Sequence, residues 1–303
     1  MNVNTVITGE ALIEAITSFL GGQAPATLEG IRVSLQREVE GAGRTTLTKL
    51  AHRLAASGTD WGYFPPDPLA RRIHHIIAEY MLGEGSALYG AEHAESVAGE
   101  PVIIFANHLS YSDANLLEIL LQRAGAHTLA NRLTVIAGPK VYSSLTRRFS
   151  SLCFGTIKIP QSSAVASGEA VMDPREVARA ARRSIEIAHE RLGGGDAVLV
   201  FAEGARSRTQ GLQPMLPAAS RYLDGPDAWI LPVGIIGTEA MFPIGEEALY
   251  PVRVVARVGA PIRASVLREQ QGGNRQMLMD RVGEAIAELV PPEYRGVYAK
   301  EPA

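Results

Sequence analysis

Pro101-Val102-Ile103-Ile104-Phe105-Ala106-Asn107-His108-Leu109-Ser110-Tyr111-Ser112-Asp113 is the stretch on which the reading of this chain turns. Val102 to Phe105 are β-branched or aromatic and predict a buried strand, entered through a Gly99-Glu100-Pro101 turn. Leu116, Leu117, Leu120 and Leu121 then recur at helical spacing, so Asn107, His108 and Asp113 fall where a strand hands over to a helix. α/β proteins commonly place ligands at such junctions, because the loop is open to solvent while packed elements hold both its ends.

Two uses of this junction follow from its residue types. Asp113 can accept a hydrogen bond from one ring nitrogen of His108, fix the tautomer and leave the other nitrogen as a general base. Such a base can activate the hydroxyl of a substrate, with no serine nucleophile in the chain required. Equally, Ser110 and Asp113 fit a helix capping box, S-x-x-D, in which Asp113 only satisfies the helix start and His108 only finishes the strand.

The 303 residues suffice for one large α/β domain with an accessory region, or for two unequal domains. Hydrophobic residues at 46% and charged residues at 20% describe a globular chain with a sizeable core. A net charge of -3 argues against general nucleic-acid binding while leaving room for a local basic site for a phosphate. The single cysteine, Cys153, excludes an internal disulfide, fits a reducing cytoplasm and reads as a small buried residue between Leu152 and Phe154. The N-terminus lacks the basic patch and apolar core of a signal peptide, and no stretch reaches the ~18–20 apolar residues of a membrane span. The chain is therefore expected to be cytoplasmic, and at most peripheral on a membrane.

Residues 1–95 predict a small N-terminal helical bundle of four short amphipathic helices. Their stripes are Leu12, Ala15 and Ile16; Leu28, Ile31, Leu35 and Val39; Leu47, Leu50 and Leu54; and Leu69, Ile73, Ile76, Ile77 and Met81. His74 and His75, adjacent on the fourth helix and without a cysteine nearby, do not suggest a metal site. From 96 to 303 strands alternate with helices, which predicts an α/β domain with a mixed central sheet flanked by helices. Strands are predicted over 133–137, 155–159, 197–201, 229–236 and 252–258, with a helix-free polar loop over 161–167. Pro232 assigns the 229–236 strand to an edge or a bulge. Asp173 reads as the N-cap of a long helix with Pro174 at its first position. Leu278, Val282, Ile286 and Leu289 mark a last helix.

A second polar loop, Phe201-Ala202-Glu203-Gly204-Ala205-Arg206-Ser207-Arg208, follows the strand over 197–201. Arg206 and Arg208 suit a phosphate, since each guanidinium offers a rigid fork of donors, and Glu203 can hold one of them or bind an acceptor hydroxyl. A surface Glu–Arg pair in a turn explains the same residues. Lys140, Arg147, Arg148 and Lys158 form a third group with no acid among them. It reads as a landing surface for an acidic carrier protein, a nucleotide-bearing acyl donor or anionic lipid headgroups, or as a solvated face.

Together these blocks resemble the glycerolipid acyltransferase family, which includes glycerol-3-phosphate and lysophosphatidic acid acyltransferases. The family's N-H-x-x-x-x-D is here Asn107, His108 and Asp113, its F-P-E-G-T-R-S-R is here Phe201 to Arg208, and its later proline-bearing strand is Leu231-Pro232-Val233-Gly234. The resemblance covers residues 97–262, roughly, and the blocks stand in the family's order. It implies His108 as the base that deprotonates the acceptor hydroxyl and Asp113 as its orienting partner. Glu203, Gly204, Arg206, Arg208 and Pro232 are the implied substrate-binding residues, with Arg206 and Arg208 on the acceptor phosphate and Pro232 under the site. Asn107 of the motif and Lys140 and Lys158 of the basic group are expected to bind substrate beside them. A backbone N–H around Gly204 or in the Asn107–Leu109 loop is the expected oxyanion donor, and the sequence does not choose between them. The implied donor is acyl-CoA or acyl-carrier protein, with no bound cofactor and no metal. Carrier protein, and an anionic membrane surface on its inner face, are the implied partners.

The chain departs from the family where G-x-x-F-I-x-R becomes Gly155-Thr156-Ile157-Lys158-Ile159-Pro160-Gln161. Either Lys158 supplies the charge of the missing arginine or the acceptor carries no phosphate. Ala202 and Ala205 replace the usual proline and threonine and remove no charge. The helical front is similar in architecture to soluble plastid-type glycerol-3-phosphate acyltransferases, which use acyl-carrier protein. Two alternatives stand beside transfer to a glycerophosphate-like hydroxyl: O-acyl transfer to a different acceptor, and a lipid- or carrier-binding protein without turnover.

Overall fold

The computed structural model describes residues 8–160, 173–246 and 248–299. The predicted polar loop over 161–167 lies outside the described residues. The strands are β1 (Gly62–Phe64), β2 (Ala87–Tyr89), β3 (Val102–Ala106), β4 (Leu133–Ala137), β5 (Gly155–Lys158), β6 (Ala197–Val200), β7 (Trp229–Ile236), β8 (Val255–Val258) and β9 (Ile262–Arg263). The α-helices are α1 (Gly9–Thr17), α2 (Pro25–Thr59), α3 (Pro68–Met81), α4 (Ala91–Ser96), α5 (Asp113–Arg123), α6 (His127–Asn131), α7 (Leu145–Ser151), α8 (Pro174–Gly193), α9 (Ala264–Gln270) and α10 (Arg275–Ala287). The predicted α/β class, a mixed sheet with helices around it and helices at the N-terminus, is the one observed. The chain forms two compact units interleaved along the sequence: Met1–Met81 with Ile136–Ile187 and Glu247–Pro251, and Leu82–Val135 with Ala188–Glu246 and Val252–Ala303.

The first unit is built on the N-terminal helices. Thr8 caps α1, its hydroxyl accepting from the Ala11 N–H at 3.1 Å, and Leu12, Ile13 and Ile16 are buried. The two helices expected over 28–39 and 47–54 run together as α2, which breaks at Gly43, where φ is 74° and ψ is 164°. Only glycine reaches such a backbone cheaply, so Gly43 is where one apolar stripe ends and the next begins. Ile31 and Leu35 before the break, and Leu50 and Leu54 after it, are buried with Leu69 and Ile73 of α3. Each such side chain contributes about 1.5–3 kcal/mol by leaving water. In the same unit β1 pairs antiparallel with β5, Gly62 facing Lys158 and Phe64 facing Thr156.

The second unit is built on a sheet whose core is parallel. β6 pairs parallel with β4 on one side and β3 on the other, and β3 pairs parallel with β7. β8 and β9 pair antiparallel with β7, and β2 pairs parallel with β8. Every residue of β3 is fully buried, as its unbroken apolar run requires of a strand covered on both faces. Helix α5 follows β3 after the loop 107–112, and α10 packs against β3 and β7.

The expectation of an edge position for β7 is corrected here. β7 has β3 on one side and β8 and β9 on the other. The carbonyl of Pro232 accepts from the Gly259 N–H at 2.9 Å, so the missing proline N–H points to the same side. There β8 has ended at Val258 and β9 begins only at Ile262, so no carbonyl of either strand is left without its donor. Phe105 lies opposite both Val200 and Pro232. The loops that follow β3, β6 and β7 therefore leave one end of the parallel core together, where open α/β sheets bind ligands.

Candidate active site

Asn107 is the first residue beyond β3, and its amide acts as an extra rung of the β3–β7 ladder. Nδ2 donates to the Ile235 carbonyl at 2.8 Å, and Oδ1 accepts from the Ile235 N–H at 2.7 Å. With 1% of its surface exposed, Asn107 fixes where the histidine loop starts rather than reaching outward.

His108 is held from every side except one. Nδ1 lies 2.8 Å from Asp113 Oδ2, and the ring stacks on Phe201 with centroids 4.3 Å apart and 19° between planes. Its N–H donates to Glu203 Oε1 at 2.6 Å and its carbonyl accepts from the Ser207 N–H at 2.8 Å, which ties the two polar loops together. Nε2 has no partner among the described residues.

Asp113 makes the hydrogen bonds that the base reading and the capping reading each call for. Oδ2 accepts from the Leu109 N–H at 2.8 Å and the Ser110 N–H at 2.9 Å as well as from the ring, and Oδ1 accepts from the Thr238 hydroxyl at 2.5 Å. The bond to Ser110 is the acid's half of a capping box, while the N-cap itself is Ser112. Asp113 is 0% exposed and, among the described residues, has no lysine or arginine in hydrogen-bond contact. Four donors and the N-terminal end of α5 stabilise its charge instead.

Among the described residues Glu203 has no arginine partner, contrary to one of the readings left open for this loop. Its two oxygens accept from the N–H groups of His108 and of Gln213, at 2.6 and 2.7 Å. Burial is the main cause that pushes its carboxyl up from the ordinary 4.5 to about 7, with the Asp113 charge adding to the rise and the two N–H donors opposing it. Gly204 sits at φ +74°, a backbone that strains any residue with a side chain, and a Cβ there would also push on the Leu216 methyl group 2.5 Å away.

Arg206 differs from its neighbours in having a donor unused. Its guanidinium lies 3.8 Å from the ring centroid of Tyr111 and 5.8 Å from that of Phe242. Nη1 is buried without a hydrogen-bond partner among the described residues. A stacked, oriented guanidinium with a free buried donor is a seat for an oxyanion. Arg208 is exposed.

Three N–H groups of the two loops are engaged within the protein. The N–H of Gly204 donates to the Phe201 carbonyl at 3.1 Å, that of His108 to Glu203 and that of Leu109 to Asp113. Among the described residues no group of three or more His, Cys, Asp or Glu side chains is placed to hold a metal ion.

Lys140 and Lys158 belong to the first unit. Lys158 is 5% exposed, and its ammonium donates to the carbonyls of Ser57 and Gly58, each at 3.2 Å, in the last turn of α2. It lies 5.0 Å from the Trp61 ring centroid and 4.7 Å from that of Tyr142. Burial first and Arg148 second hold it below the ordinary lysine value, against Asp60. Arg148 donates to the Leu54 carbonyl at 3.3 Å, so two of the four basic residues close the C-terminal end of α2. Lys140 is exposed. The sequence reading missed Phe201, Tyr111 and Phe242 as ring partners and Thr238 as a donor to Asp113. Of these only Tyr111 and Phe201 stand inside the motif stretches.

Residues 87–236 match the family model described as Acyltransferase. Among solved structures, PlsC, the 1-acyl-sn-glycerophosphate (LPA) acyltransferase from Thermotoga maritima, is similar over 73% of this chain and 80% of that one, with 18% identity and a TM-score of 0.46. Comparison with curated proteins finds no match. No helix among the described residues is long and apolar enough to cross a membrane. The matched segment contains β3, β6 and β7 with both polar loops between them, and the match identifies residues 87–236 as an acyltransferase domain.

Proposed function

We propose that the protein transfers a fatty acyl group from a thioester, of coenzyme A or of acyl-carrier protein, to a hydroxyl of a phosphate-bearing, glycerophosphate-like acceptor. His108 is the general base and Asp113 its orienting partner. The observation that carries this reading is the pairing of His108 Nδ1 with Asp113 at 2.8 Å, on a loop hydrogen-bonded to the one that bears the unpaired Arg206 Nη1. The pairing makes the Nδ1–H tautomer the favoured one, so the lone pair of Nε2 can take the hydroxyl proton. The hydroxyl oxygen then attacks the thioester carbonyl. A carbon–oxygen bond forms, the carbon–sulfur bond breaks, and the departing thiolate takes the proton back from Nε2.

Arg206 holds the acceptor phosphate through Nη1, and exposed Arg208 adds a second, solvent-side contact. Lys140, exposed, is the residue of the basic stretch open to an anionic donor or to anionic headgroups of a membrane surface. Lys158 is committed to the carbonyls of α2 and takes no part in this reading.

The test is an acceptor panel with thiol release as the readout. Purified protein receives acyl-CoA or acyl-carrier protein together with glycerol 3-phosphate, a lysophosphatidate, or their phosphate-free counterparts. Thiol release is expected with the phosphorylated acceptors and at least tenfold less with the others, on the order of what one charge-assisted contact supplies. Equal turnover of phosphate-free acceptors points to another O-acyltransferase activity. Binding of donor or acceptor without thiol release from any of them points to a protein that binds and does not turn over.

A further inference from the structure

We infer that Thr238 is a positioning residue for His108, acting through the oxygen of Asp113 that the histidine does not use. The inference rests on the base role proposed above and adds a residue outside the two motif blocks. Thr238 is 0% exposed, and its hydroxyl donates to Asp113 Oδ1 at 2.5 Å. Asp113 Oδ2 takes the His108 ring and two backbone N–H groups. With Oδ1 tied to Thr238, the carboxylate plane is fixed, and Oδ2 alone faces the ring. Without the Thr238 hydroxyl, Oδ1 would be a buried carboxylate oxygen lacking a donor, and the carboxylate would gain by turning so that both oxygens share the donors now on Oδ2.

The chain spends structure on placing this hydroxyl. Asn107 locks the start of the histidine loop onto Ile235, three residues before Thr238. Gly237 then turns the chain at φ +92°, where a Cβ would lie 2.4 Å from the Arg253 carbonyl oxygen. The end of β7 is thus joined to the histidine loop twice, once through Asn107 and once through Thr238. Neither tie touches the face of the ring that bears Nε2. The other charged groups around the pair are Glu203, bonded to the His108 N–H, and Arg206, stacked on Tyr111. Glu239, next in the chain to Thr238, is bonded to the Tyr294 hydroxyl at 2.5 Å.

The experiment compares Thr238→Val, Thr238→Ser and wild type by two readouts. Nitrogen-15 NMR of labelled histidine reports the His108 tautomer without needing turnover, and steady-state kinetics separates kcat from KM. Thr238→Val is expected to lose the single-tautomer signature of His108 and about tenfold in kcat, with KM changed less than about twofold. Thr238→Ser, which keeps the hydroxyl, is expected to restore both. If the valine protein does not fold, Thr238→Ala is read in its place with the same expectation. An unchanged His108 signature in the valine or alanine protein overturns the inference, and so does a serine protein as impaired as they are. His108→Ala run alongside separates the two levels: wild-type acyl transfer in that variant sinks the base role, while the NMR comparison still decides what Thr238 does.

Discussion

The histidine loop and the arginine loop leave the same end of the parallel sheet, yet they treat their polar groups in opposite ways. From Asn107 to Asp113 the Asn107 amide, the His108 N–H and carbonyl and the N–H groups of Leu109 and Ser110 all have partners inside the protein, and Asp113 alone collects four hydrogen bonds. From Glu203 to Arg208 the carboxylate is tied down, while Arg206 keeps a buried nitrogen unpaired and Gly204 and Arg208 face solvent. A loop that is satisfied in the absence of substrate is preorganised for moving a proton. A loop that holds an unpaired guanidinium is preorganised for receiving an anion. Glu203, bonded to the His108 N–H, couples the two.

The largest effect that would break this contrast is at Asp113. Asp113→Asn keeps the shape and places an NH2 against either the Thr238 hydroxyl or the three donors on Oδ2. Its kcat/KM is expected to fall by about 10²- to 10⁴-fold, since the wrong tautomer of His108 cannot act as the base. A loss below about tenfold in steady-state assays of folded protein would mean the carboxylate serves only the helix start.

A smaller, more selective effect is expected at the arginine loop. Arg206→Leu keeps the packing against Tyr111 and Phe242 and removes the anion seat. KM for a phosphorylated acceptor should rise about 10- to 100-fold, the equivalent of one lost charge-assisted hydrogen bond, with kcat much less changed. A phosphate-free acceptor should be almost indifferent to the change. Equal losses with both acceptors would assign Arg206 to the fold instead of the ligand.

The smallest effect concerns the coupling residue and is read in stability. The Glu203 carboxyl is raised from 4.5 to about 7 in the folded protein, so the folded state holds that proton more tightly than the unfolded chain does. Its contribution is full below the unfolded value and is lost as pH rises through the folded one. Relative to Glu203→Gln, the wild type should therefore lose on the order of 1–3 kcal/mol between pH 4.5 and 7.5, measured by urea unfolding at each pH. A difference between the two proteins that stays constant across that range would contradict the raised carboxyl.

How much of this was legible in the sequence depends on how local each feature is. The β3 strand, its handover to α5 and the His108–Asp113 pair lie within about a dozen consecutive residues, and periodicity with residue type suffices to read them. The break in α2 at Gly43 was legible too, because glycine spacing records it even where one helical run continues through. The interior position of β7 was not, since Pro232 is tolerated only because β8 stops and β9 starts on its missing-donor side. The commitment of Lys158 to Ser57 and Gly58, about a hundred residues away, likewise leaves no trace in the basic stretch. Glu203 reads as a partner for the arginines three and five residues on, and only the folded loop shows that it bonds the backbone of His108 and Gln213. Thr238 is the hardest case: nothing marks a buried threonine beyond a strand as the fourth donor to an aspartate 125 residues earlier.

The central claim, that His108 takes the proton of an acceptor hydroxyl, is tested most directly by one comparison. Release of free thiol from acyl-CoA that depends on added glycerol 3-phosphate is measured for wild type and for His108→Ala at equal, folded concentration. A loss of about 10³-fold or more in the variant, with the fold intact by circular dichroism, is the result expected of a missing general base. Acceptor-dependent release within about tenfold of wild type would contradict it.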